Sequence, residues 1–179
     1  MPTALQLPLP RLRTPAYARP TMELGTAAGV LHKSSPGITE DQIRELIERG
    51  AFWAWNVALE TTESRPELRL LTYSVAACEN VAELIDDPIA LAQPVPATGE
   101  EAIALLMSHA ARALRQTGQP WITGEEIKAI LCIRRTHLIN LVDAKVLPQM
   151  PGTQYRTGPK GYPLIAREAF TAFLEARLV

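Results

Sequence analysis

Apolar and polar positions first fall into a helical rhythm in "GITEDQIRELIERG", where Ile43, Leu46 and Ile47 share one face of a 3.6-residue period. Thr39 stands where an N-cap belongs, Gln42 stands at the capping-box position, and Gly50 stands where a helix ends. The rhythm then changes. In "FWAWNVALE", Trp53, Trp55, Val57 and Leu59 alternate with Phe52, Ala54, Asn56 and Ala58, which is the period of a strand. A polar "TTESRP" separates this run from "ELRLLTY", so the two predict a hairpin. "SVAACENVAELI" returns to helical spacing through Val75, Cys78, Ala82 and Ile85. The two tryptophans serve either as core and hairpin anchors or as a ligand cage, and the anchor role accounts for them without further assumption.

"DDPIALAQPVPATG" interrupts the pattern with prolines and reads as a linker. A "TGEE" capping-box sequence at Thr98 then opens a long amphipathic helix over residues 99–116, with Ile103, Leu106, Met107, Ala110 and Leu114 at helical spacing. A second "TGEE" at Thr123 opens the next helix. The shared letters are those of any capped helix start, and the flanking sequences do not match as a repeat would. "GEEIKAIL" breaks off at "CI" and resumes as "RRTHLINLVDA". With Gly124 as the first position, Ile127, Leu131, Ile133, Leu138 and Leu141 fall at the fourth, eighth, tenth, fifteenth and eighteenth. Those positions must be apolar when two short helices cross steeply at a tight turn. "VLPQMPGTQYRTGPKGYPLI" then has the composition of a hairpin with a glycine- and proline-rich tip. "AREAFTAFLEARLV" closes the chain as a helix that sets Phe170, Phe173, Leu174 and Leu178 over the preceding pair.

The patterns predict an α+β, mainly α fold. Residues 1–37 form a flexible, proline-rich basic arm, and residues 38–87 form a helix, β-hairpin, helix unit, read either on its own terms or as a degenerate winged helix. Residues 88–119 hold the linker and amphipathic helix, and residues 120–179 hold a winged helix-turn-helix. The chain has 179 residues, enough for one ordinary domain or two small ones, and its 47% hydrophobic and 21% charged content is that of a globular protein.

A formal net charge of -1 argues against nucleic acid until its distribution is considered. Residues 1–37 carry four basic groups against one acidic, residues 38–119 carry six against 13, and residues 120–179 carry eight against five. A basic C-terminal module beside an acidic middle fits binding by the former. The polar residues of the second short helix give that binding a chemistry. If a helix spans 134–143, its first turn offers Arg134, Arg135, Thr136 and His137, with Asn140 one turn on, while Leu138 and Leu141 face inward. Arg forks to guanine, Asn to adenine, and Thr meets a thymine methyl or a phosphate. In the hairpin over 150–163, Gln154, Tyr155, Arg156 and Lys160 are placed to touch the sugar-phosphate backbone.

From "ITGEEIKAILCIRRTHLINLVDAKVLPQ" through "REAFTAFL", roughly residues 121–177, the chain resembles the excisionase and MerR-type winged helix-turn-helix domains. The resemblance implies duplex DNA as partner, with Arg134, Arg135, His137 and Asn140 in the major groove and Tyr155, Arg156 and Lys160 on the adjacent backbone. The chain departs from that family's pattern at Cys132, where the turn usually carries glycine, at Lys128, where a small residue is usual, and at Arg134, where serine is usual.

The function expected is that of a sequence-specific, double-stranded-DNA-binding transcriptional regulator from a bacterium, phage or mobile element, acting as a homodimer on an inverted repeat. The alternatives are an excisionase-like factor that bends DNA for a recombinase, and a non-catalytic adaptor whose N-terminal half binds a second protein. The histidines are isolated in sequence and CxxC, GxGxxG, Walker and GxSxG patterns are missing, so neither a metal, a cofactor nor catalysis is expected. Cys78 and Cys132 sit in helix-like apolar patterns and read as buried thiols of a reducing compartment. With no signal-peptide pattern and no membrane-spanning run, the cytoplasm is the expected location.

Overall fold

In the computed structural model, which describes residues 19–60, 66–113, 121–150 and 163–179, the chain is a mixed α+β protein with two small antiparallel sheets. Strand β1 (Thr21–Glu23) runs directly into helix α1 (Leu24–Leu31). Helix α2 (Glu40–Glu48) precedes strands β2 (Ala54–Asn56) and β3 (Leu68–Leu71), and short helices α3 (Thr72–Ala77) and α4 (Val81–Asp86) follow. After the proline-containing segment comes α5 (Gly99–Ala113), then β4 (Trp121–Thr123), α6 (Gly124–Ile130), α7 (Arg135–Asp143), β5 (Leu164–Ala166) and α8 (Arg167–Arg177).

Local chemistry fixes the helix starts. Thr39 and Gln42 close a reciprocal capping box at α2, and Thr123 and Glu126 do the same at α6. At α5, the Glu101 N–H donates to Thr98 Oγ1 and the Thr98 N–H donates to Glu101 Oε2. Gly50 takes φ 76°, a left-handed conformation in which a Cβ is strained, and it ends α2 where the sequence places the stop.

Two expectations need correction. The arm expected over 1–37 is ordered structure over 21–31, where β1 pairs with β3 and α1 buries Leu24, Ala27 and Leu31. "TMELGTAAGVL" hides this helix because its glycines and threonines are weak helix formers and prolines stand close by. The single helix expected through "SVAACENVAELI" is broken at Cys78, whose backbone is extended. Val75, Val81 and Leu84 are that segment's buried hydrophobic residues. Val75 and Val81 would point about 120° apart on one continuous helix, and the break lets both face the same core. Cys78 itself is half-buried, and burial pushes its thiol pKa up, opposed by a hydrogen bond at Asn80.

The sheet ordered β1-β3-β2 stands between two hydrophobic cores. Phe52, Ala54, Leu68 and Leu70 face the first, built with α1 and α2. Trp55, Val57 and Leu71 face the second, which α5, α6, α7 and α8 complete with Leu106, Ile127, Leu138 and Phe170. The alternation in "FWAWNVALE" therefore separates two interiors rather than an interior from water. The second sheet, β4 with β5, pairs Ile122 with Ile165 under α8. Its α6 start is close-packed: a Cβ on Gly124 would lie 2.8 Å from Leu138 Cδ2 and 2.9 Å from Pro163 Cδ. Among the described residues, no helix is long and apolar enough to cross a membrane.

Candidate nucleic-acid interface

Helix α7 is anchored by Leu138, Leu141 and Val142, which are buried and leave its other face open. Arg134 caps the helix in an extended conformation and is exposed, as are Thr136 and Asn140. Arg135 is half-buried. These polar groups follow from the spacing of the apolar ones: with positions 138, 141 and 142 turned inward, positions 136 and 140 must turn out.

His137 is differently placed. Its Nε2 lies 2.6 Å from the Val57 carbonyl oxygen and its Nδ1 lies 3.5 Å from Glu67 Oε2, so the ring joins α7 to the far end of the β2–β3 hairpin. Gln154, Tyr155, Arg156 and Lys160 lie outside the described residues.

The structure adds residues that the sequence did not bring to this place. Glu23, Glu67 and Arg69, from β1 and the β2–β3 hairpin, line a groove of about 390 Å³ together with Arg134, Thr136 and Asn140. Arg69 organises it. Although only 6% exposed, its guanidinium is well partnered. Nε donates to the Cys132 carbonyl at 3.1 Å, NH1 donates to the Leu68 carbonyl at 3.1 Å, and NH2 donates to Glu67 Oε1 at 2.6 Å. Glu23 Oε1 is 3.6 Å away. The sequence carries one signal of this role: Arg69 interrupts the leucines of "LRLL" on the strand face shared with Leu71.

The turn between α6 and α7 is clasped from the other unit. Besides Arg69, the Thr21 hydroxyl donates to the Ile130 carbonyl at 2.6 Å and Arg19 NH1 donates to Cys132 Sγ at 3.1 Å. Cys132 has φ 52°, the left-handed conformation that glycine adopts more easily. The site therefore offers a helix end with exposed Arg, Thr and Asn, bordered on one side by two carboxylates and held by side-chain hydrogen bonds to the turn that precedes it. Such a surface can form directional hydrogen bonds to a flat polar edge. No family model, curated protein or solved structure matches the chain.

Proposed function

We propose that residues 120–179 form a winged helix-turn-helix that binds duplex DNA, with α7 in the major groove and the segment between β5 and Gln149 along the backbone. The observation that carries this reading is the exposure of Arg134, Thr136 and Asn140 on one side of a helix whose other side is locked into the core. Arg and Asn at the start of such a helix supply the forked hydrogen bonds that distinguish guanine and adenine. The basic balance of residues 120–179 supports it by favouring phosphate. A sequence-specific regulator is the function that uses both.

Selection of bound sequences from random duplexes, followed by affinity measurement on the selected site, tests the proposal. Replacing both Arg134 and Arg135 with alanine is expected to cost about 1–3 kcal/mol for each guanine fork lost and to relax base preference. Unchanged affinity and unchanged preference in the double variant would remove α7 from the interface. A second reading, a non-catalytic adaptor, draws on Glu23 and Glu67, which border the same groove and suit a basic peptide better than a phosphate. Retention of a basic peptide with no duplex shift at low salt would favour it.

A further inference from the structure

The two halves of the chain share a frame that their sequences conceal. Adding 95 to the residue numbers of α2, Glu40–Glu48, gives those of α7, Arg135–Asp143. The same step carries the buried Ile43, Leu46 and Ile47 onto the buried Leu138, Leu141 and Val142. It carries the left-handed Gly37 and Gly50 onto the left-handed Cys132 and Lys145. The hydrogen bonds that end α2, Gly50 N–H to Ile47 and Ala51 N–H to Leu46, become Lys145 N–H to Val142 and Val146 N–H to Leu141.

Strand pairing obeys the same rule. Ala54 opposite Leu70 becomes Gln149 opposite Ile165, and the step from β3 into α3 at Thr72 becomes the step from β5 into α8 at Arg167. Ahead of the turn between the helices, the step is 100: Thr21–Glu23 and Leu24 become Trp121–Thr123 and Gly124. The difference is the longer connection between α1 and α2. A step that changes only once, at that connection, and otherwise holds through strands, helices, turns and two unusual backbone conformations is not what two unrelated units would show.

Against this constant frame, one property changes. At the positions of Arg134, Arg135, Thr136 and Asn140, the first half has Thr39, Glu40, Asp41 and Glu45. Glu40, Asp41 and Glu45 are all exposed. In sequence, residues 57–67 hold three glutamates and one arginine, whereas the equally long 152–162 holds Arg156 and Lys160 and no carboxylate. The core is retained while the outward charge is inverted. The two surfaces are also neighbours, since Glu23, Glu67 and Arg69 line both the groove beside α2 and the groove beside α7.

We propose that the chain is an internal duplication in which the first copy has been converted from a polyanion-facing to a polyanion-repelling surface, confining nucleic-acid contact to the second copy. Like charges set beside a binding surface cost affinity for misplaced partners and so fix the orientation of the right one. Glu40, Asp41 and Glu45 are thus specificity determinants. The assignment of the second copy as the binding face rests on the function proposed above.

The test restores the second copy's residues in the first: Glu40→Arg, Asp41→Thr and Glu45→Asn, leaving the Thr39 and Gln42 capping box intact. A control of equal charge change, Glu79→Arg, Glu83→Gln and Asp86→Asn, alters exposed residues outside the duplicated helix face. The full-length proteins are compared on immobilised heparin and on duplexes of arbitrary sequence. The restored variant is expected to bind about tenfold more tightly than the control, with a salt dependence of affinity steeper by about one phosphate contact or more. Equal binding by the two variants overturns the inference. If circular dichroism shows the arginine variant to be unfolded, the all-neutral pair decides in the same way: Glu40→Gln, Asp41→Asn, Glu45→Gln against Glu79→Gln, Glu83→Gln, Asp86→Asn. Failure of the unaltered chain to shift any duplex defeats the functional reading instead, and heparin still separates variant from control.

Discussion

Arg69 shows how one side chain joins the two halves. Its guanidinium bonds the Cys132 carbonyl ahead of α7, the Leu68 carbonyl and Glu67, while its burial removes the alternative of bonding water. Arg69→Met keeps much of the side-chain volume and deletes every donor. It leaves the Cys132 carbonyl and Glu67 short of a partner, at a cost of about 2 kcal/mol. Chemical denaturation measures this, and a midpoint unmoved by the substitution would show the network to be energetically idle. Glu67→Gln is expected to cost less, because Glu67 is 43% exposed and water replaces part of what it loses. His137 is the matching case on α7. Sequence analysis assigned it to a base edge beside Arg135 and Thr136; in the fold its Nε2 meets the Val57 carbonyl while the ring lines the same groove as Thr136 and Asn140.

At the scale of elements, α2 and α7 end alike, with an N–H of the residue beyond the cap returning to the last turn. Glycine occupies the left-handed position in one and Lys145, exposed and at φ 59°, occupies it in the other. A non-glycine residue loses about 1–2 kcal/mol there; replacement by glycine relieves that strain but costs about 0.4–1 kcal/mol through the freer unfolded chain. Lys145→Gly is therefore expected to stabilise by about 0.5 kcal/mol, and Gly50→Ala to destabilise. Thermal melts of the two variants moving in the same direction would refute the argument. Such element ends were legible in the sequence because they are local: Thr39, Thr98 and Thr123 each need a partner only three residues away. Helix α1 was not legible, since Gly25, Gly29 and the nearby prolines mask a face that only the β1–β3 pairing reveals. The α3–α4 break was hidden because Cys78 and Ile85 keep helical spacing while the core selects Val81 and Leu84. The groove beside α7 was half legible: Arg134, Thr136 and Asn140 lie within one helix, but Glu23 and Glu67 reach it only through the fold.

At the scale of the molecule, the β1-β3-β2 sheet is a partition. Trp55, Val57 and Leu71 belong to the core of the second half although the first half supplies them. Each is worth about 1.5–3 kcal/mol when buried, so together they approach the whole stability of a typical domain, about 5–15 kcal/mol. Residues 120–179 expressed alone would expose Leu106-facing and Trp55-facing surfaces of α6 and α8. The fragment is expected to lack a cooperative melt, whereas the full chain shows one. A fragment with the melting temperature of the full chain would disprove the dependence. The inheritance of such a wall is unusual in its consequences. A strand that seals two compartments at once cannot be traded away with either: Trp55, bridged to Leu178 more than 100 positions along the chain, ties any change at this wall to both halves, and neither half makes a self-sufficient part without it.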